Sequence, residues 1–169
     1  MPSFMSCKGV GEAAVDEIIA NRPYTDIKTM MWTDEGKWRH SKFNKKAMES
    51  LIRVRAFEST GMIGRDFESY KHMLESLVPS WNSLRKSLKR NPWEGYENFV
   101  NAREENRGLQ EFSKNEIIIN ENELFGYVSP ETIITEDQIQ KLYNKNIRPV
   151  CEWDKEWLMD RDWETTRSR

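Results

Sequence analysis

The chain has little of what disulfide scaffolds, metal sites and hydrolytic enzymes are built from. Its two cysteines, Cys7 and Cys151, form no C-x-x-C pair and no spaced framework, so neither a disulfide core nor a zinc site is expected. The two histidines, His40 and His72, stand alone, His40 in a polar stretch and His72 in an amphipathic one. Isolated histidines of this kind are structural far more often than catalytic. No P-loop, Ser-His-Asp arrangement or cluster of metal ligands occurs, so no catalytic residue and no metal site is assigned. No apolar run approaches the roughly 20 residues that cross a bilayer. Met1-Pro2-Ser3-Phe4 does not open a signal peptide. The expectation is a soluble, cytoplasmic protein with no membrane partner. Strand signals are scarce as well. Ile117-Ile118-Ile119 is β-branched, but it follows the capping box Ser113-Lys114-Asn115-Glu116 directly and reads as buried helix.

What the chain does have is charge and helical periodicity. Charged residues make up 32% and aromatics 11% of 169 residues, the second figure arguing against wholesale disorder. The net charge of −2 hides an asymmetry, because residues 1–90 carry +5 and residues 91–169 carry −7. A basic first half joined to an acidic second half suits an anion-facing part attached to a part that faces elsewhere.

Phe67, Tyr70, Met73, Leu74, Leu77, Val78, Trp81, Leu84 and Leu88 recur at helical spacing, with Pro79 expected to kink or split the segment. Asn91-Pro92-Trp93-Glu94 reads as a helix start and Gly108 as its stop. The helix opened at Ser113 is expected to end at Gly126, and Thr135-Glu136-Asp137-Gln138 to open another through Ile139, Leu142 and Tyr143. Trp81 and Trp93 sit at core positions, while Trp153 and Trp157 form a small patch in the acidic tail. The stretch from Asp160 to Arg169 lacks periodicity after Trp163 and is expected to fray.

The most informative stretch is Cys7-Lys8-Gly9-Val10-Gly11-Glu12-Ala13-Ala14-Val15-Asp16-Glu17-Ile18-Ile19. Two glycines one residue apart permit a tight turn and a close approach of a phosphate to the main chain. The helix that follows offers unpaired amides and the positive end of its dipole. Val10 would pin the turn to the helices, and Lys8 would add a point charge. The helix should stop at Asn21-Arg22-Pro23. A dinucleotide fingerprint is excluded, since no buried strand precedes the turn and no third glycine follows it. Taken alone, the pattern fits a phosphate-binding helix-hairpin-helix and an ordinary structural turn equally.

The wider sequence bears on that choice. Gly9-Val10-Gly11-Glu12-Ala13-Ala14-Val15-Asp16-Glu17-Ile18-Ile19-Ala20-Asn21-Arg22-Pro23-Tyr24 resembles the helix-hairpin-helix of bacterial C-family replicative DNA polymerases, the alpha subunit of DNA polymerase III. Asn44-Lys45-Lys46-Ala47-Met48-Glu49-Ser50-Leu51-Ile52 and Ala56-Phe57-Glu58-Ser59 are similar to that family's next block, and Glu123-Leu124-Phe125-Gly126-Tyr127-Val128-Ser129 to a third. In the second block the family has Lys-Ala-Gly where this chain has Arg53-Val54-Arg55, so its glycine turn is expected to be missing. The family's clamp-binding peptide has its nearest candidate in Gly108-Leu109-Gln110-Glu111-Phe112, with glycine where glutamine belongs.

The resemblance implies a DNA-binding, non-catalytic segment of a DNA-directed DNA polymerase, a transferase of DNA replication. Its partners would be the phosphate backbone of duplex DNA, the rest of the polymerase chain and a sliding clamp. It implies no cofactor within the segment, and Mg2+ only for the parent polymerase. Asp160-Arg161-Asp162 has the spacing of a polymerase metal pair but lies in a polar tail without a strand, and is read as coincidence. The expected DNA-binding residues are Lys8, Gly9, Val10, Gly11, Glu12, Ala13, Asn44, Lys45 and Lys46.

The expected architecture is all-α: a helix-hairpin-helix in residues 1–60, a small helical bundle in 61–150 and an acidic Trp-containing tail in 151–169. Because only Pro2 to Lys8 precede Gly9, the apolar face of Val15, Ile18 and Ile19 is expected to lack a full partner and to lie partly exposed. The competing reading is a helical protein-interaction module in which the hairpin only packs.

Overall fold

The computed structural model describes residues 4–87, 92–134 and 136–147. A 3-10 turn (Phe4–Ser6) leads to α1 (Glu12–Ala20), α2 (Ile27–Met31) and α3 (Lys45–Arg53). A second 3-10 turn (Glu58–Thr60) precedes α4 (Tyr70–Ser87), α5 (Pro92–Glu105), α6 (Lys114–Phe125), α7 (Pro130–Ile133) and α8 (Glu136–Asn144). Extended pairing among the described residues is limited to two isolated bridges, Trp32 with Trp38 and Ile63 with Phe67. The fold is mainly α, as the sequence predicts. The chain divides into two compact units, Met1–Ser129 and Pro130–Arg169. The tail residues Cys151, Trp153, Trp157 and 160–169 lie outside the described residues, as do the side chains of Lys86, Lys89, Arg90 and Trp93.

In the first unit α3 supplies the centre of the core. Its Ala47, Met48, Leu51 and Ile52 are buried with Met30 and Met31 of α2, Met73, Leu77, Trp81 and Leu84 of α4, and Phe99 of α5. Burial of such side chains contributes about 1.5–3 kcal/mol each. Trp81 stacks edge-on against Trp38 with ring centroids 5.2 Å apart, and Trp32 meets both Trp38 and Tyr96 at 5.9 Å. These three tryptophans are packing residues.

Helix α4 runs through Pro79 without a break, so of the kink or split that the sequence suggested, the split does not occur. Proline cannot donate to the carbonyl four residues back. That carbonyl, on Glu75, instead accepts from Asn106 Nδ2 at 3.3 Å, so the freed acceptor is partnered from just beyond the end of α5. Helix α6 begins at the full capping box of Ser113 and Glu116 and ends on Gly126 with φ +79, both as expected. Its isoleucines are less buried than expected, however, and Ile119 is 54% exposed. The buried face carries Asn120, Glu121 and Leu124. Arg53 Nε donates to Asn120 Oδ1 at 2.8 Å and pairs with Glu123, while the Ser129 amide donates to Glu121 at 2.9 Å. The face is polar because α3 brings an arginine to it.

The glycine turn that the sequence lacks after α3 is nevertheless present in conformation. Arg55 has φ +58, the Ala56 amide donates to Leu51 O at 2.9 Å, and the Arg55 amide donates to Ile52 O at 3.0 Å. These are the two bonds of a Schellman cap with a non-glycine residue at its left-handed position. Arg55 makes only a 3.8 Å, half-exposed contact with Glu121, too little to offset the strain. Arg55→Gly is therefore expected to raise the unfolding free energy by up to about 1 kcal/mol. Urea denaturation measures this, and a less stable variant contradicts it.

Candidate nucleic-acid interface

The hairpin turn is built on one glycine, not two. Gly9 has φ +90, and a Cβ there would fall 2.8 Å from Ser50 Oγ and 3.3 Å from Lys46 Cγ on α3. A side chain at this position is excluded twice, by conformation and by α3. Gly11 differs: its φ of −82 and ψ of 160 are ordinary extended backbone, and nothing lies within 4 Å of an added Cβ. The fold does not require glycine at 11. What Gly11 provides is an open approach to the start of α1.

Each expected contact residue has a definite place. The Lys8 amide donates to Leu124 O at 2.8 Å, tying the turn to the end of α6, while the rest of the residue is exposed. Val10 is 5% exposed and its amide donates to Cys7 O at 3.1 Å, so it pins the turn to the core. Gly11, Glu12 and Ala13 are exposed, and their amides have no acceptor among the described residues. Gly11 O accepts from the amides of Ala14 and Val15, which starts α1 without a side-chain cap. Asn44 caps α3, its Oδ1 accepting from the Ala47 amide at 3.1 Å. Lys45 is half-buried and Lys46 exposed. The closeness of Lys46 to Gly9 brings the two candidate clusters together at the hairpin. Open amides at the start of a helix, flanked by lysines, form an arrangement that accepts anions.

Residues 1–66 match the family model described as a helix-hairpin-helix motif. The region is a helix-hairpin-helix. No curated protein and no solved structure matches the chain.

The helix-hairpin-helix region is closed by a residue that sequence reading passed over. Glu17, on α1, takes four hydrogen bonds from the segment that leads into α3. Oε1 accepts from the Ser41 amide at 2.7 Å and from Ser41 Oγ at 2.9 Å. Oε2 accepts from the amides of Lys42 at 2.9 Å and Phe43 at 2.6 Å. Burial alone would raise the Glu17 carboxyl, but the bonds from Phe43, Ser41 and Lys42 outweigh it and lower the group to about 2. No local sequence signal marks Glu17, because its partners lie 24 to 26 residues away.

Other predicted features fall elsewhere. His40, within a polar stretch of the sequence, is buried, with Nε2 2.6 Å from Met30 O and Nδ1 3.7 Å from Glu17 Oε2. Desolvation holds its pKa below the ordinary value, so it is neutral at pH 7 and its approach to Glu17 is not an ion pair. His72 is buried between Arg103 O and the Glu68 amide. Val15 and Ile18 are buried and only Ile19, at 55%, is exposed, because the core built around α3 covers α1 where the short upstream turn cannot. Among the described residues no group of three acidic, histidine or cysteine side chains is placed to hold a metal ion, and no helix is long and apolar enough to cross a membrane.

Two acid limbs are expected in the stability profile. Below the ordinary 6.5 of His40, the unfolded chain takes up a proton that the folded chain refuses, and stability falls as pH falls. A second loss follows from the ordinary 4.5 of Glu17 down to about 2. Over that window the Glu17 contribution lost is about 3 kcal/mol. In Glu17→Gln the second limb becomes shallower and the first persists. Denaturation across pH checks this, and an unchanged second limb contradicts it.

Proposed function

We propose that the helix-hairpin-helix region binds duplex DNA through its phosphates and without sequence preference. The observation that carries this reading is the set of open amides at Gly11, Glu12 and Ala13, with Lys46 of α3 against the same turn. Backbone amides and lysine side chains recognise phosphate geometry and charge and contact no base edges. The exposed residues Lys8 and Lys42 and the half-buried Lys45 add positive charge to the region. Glu12 faces the same solvent and limits the affinity.

The finer reading is that this chain serves a replicative polymerase of the C family, gripping duplex behind the active site and supporting processive synthesis in the cytoplasm. What supports it is the resemblance in three blocks, together with their proximity. The hairpin bonds to Leu124 of the third block and touches Lys46 and Ser50 of the second. A sliding clamp is less well supported as a partner. In the candidate peptide Phe112 is 8% exposed, Leu109 O accepts from Ser69 Oγ and Glu111 accepts from the Tyr70 amide. A second reading, an interaction module, draws on exposed Ile133, Leu142 and Ile147 of the second unit.

Affinity for a mixed-sequence duplex is expected to fall with salt with a log–log slope on the order of two to four, for the few phosphates within reach. Gly11→Ala should weaken binding several-fold while changing stability by less than about 1 kcal/mol. It is a cleaner probe than any change at Gly9, which damages the fold. Equal binding by folded Gly11→Ala, or binding that salt does not weaken, contradicts the reading.

A further inference from the structure

We infer that Glu17 is a positioning residue for the DNA interface, holding Ser41, Lys42 and Phe43 at the entry of α3, the helix whose Lys46 lies against the hairpin. This rests on the reading that the region binds duplex DNA. A carboxylate near a phosphate-binding surface is ordinarily unfavourable, so its presence calls for a role other than charge. Both Glu17 oxygens are used in full, Oε1 by the amide and hydroxyl of Ser41 and Oε2 by the amides of Lys42 and Phe43. These donors draw off the negative charge and the side chain is only 15% exposed. The carboxylate therefore faces the chain rather than the solvent.

The consequence lies in what the held segment carries. Phe43 is buried and anchors one end, and Asn44 directly after it caps α3. Lys42 lies between two residues whose amides are likewise fixed by Glu17, and its exposed side chain forms no ion pair among the described residues. Three consecutive amides bound by one carboxylate on α1 tie the entry of α3 to the same helix whose first turn offers the open amides. Without that tie, α3 would still be held through Ala47, Met48 and Leu51, but the segment from Ser41 to Lys45 would lose its register against α1. Lys42 joins Lys8, Lys45 and Lys46 as a phosphate contact on this account.

The test uses the full chain, a fluorescent duplex of mixed sequence, and two variants that change opposite properties of Glu17. Glu17→Gln keeps the shape and removes the charge. Glu17→Asp keeps the charge and withdraws it from the segment. Charge alone predicts that Glu17→Gln binds more tightly and that Glu17→Asp is unchanged. The positioning role predicts that both, while folded, bind roughly three- to tenfold more weakly with a salt slope shallower by about one. It also predicts that adding Lys42→Ala to either variant costs little more. Folded variants that bind as well as or better than the wild type overturn the inference and leave the DNA reading intact. A wild type that shows no salt-dependent duplex binding overturns both. Should neither variant fold, hydrogen exchange in the wild type decides. Slow exchange at Ser41, Lys42 and Phe43, slowed further by duplex, supports the inference. Fast exchange, or exchange that duplex leaves unchanged, overturns it.

Discussion

The bond set between Glu17 and the Ser41–Phe43 backbone is the constraint on which the organisation of the first 66 residues depends. It joins α1 to the start of α3 across more than twenty residues of chain. At its other end α1 is fixed by Gly9, whose missing side chain lets the turn close on Lys46 and Ser50. Between these two anchors the start of α1 has no freedom to tilt away from α3, so the open amides and the lysines keep a fixed relation. A phosphate-binding surface needs that relation more than it needs any single strong contact, since each contact to a phosphate is worth little alone.

The helices beyond the hairpin act as its support. α6 reaches the hairpin through Leu124 O and the Lys8 amide, and reaches α3 through Arg53 with Asn120 and Glu123. α4 joins α6 through Lys71 and Glu116 at 2.7 Å, and a hydrogen bond from Ser69 Oγ to Leu109 O closes the connection. The basic residues are thereby sorted into two groups. Arg53 and Arg55 face α6 and its acids, while the side chains of Lys8, Lys42, Lys45 and Lys46 form no ion pair among the described residues.

Much of this was legible in the sequence where a local rule acts alone. The capping box at Ser113, the glycine stop at 126 and the helical periodicity from Tyr70 to Leu84 depend on neighbours within a turn or two. The departures share one cause, partners remote in the chain. Pro79 stays inside α4 because Asn106 takes over the orphaned carbonyl. Arg55 adopts a glycine conformation because the cap after α3 imposes it. α2 escaped notice because it is only five residues long, although its Asp26–Thr29 capping box and buried Met30 and Met31 are local signals. Of the candidate site, the turn was readable from its motif, and Lys8, Lys45 and Lys46 were named from motif and resemblance. Glu17 was not, because its donors lie 24 to 26 residues away.

Amide chemical-shift mapping of the isotopically labelled full chain, titrated with a mixed-sequence duplex at low salt, tests the central claim most directly. The account predicts that the shifts concentrate at Gly9 to Ala13 and Ser41 to Ala47, fade as salt is raised, and leave the amides of α4 and α5 in place. Shifts centred on α8, or none at the hairpin while the protein remains folded, would contradict it.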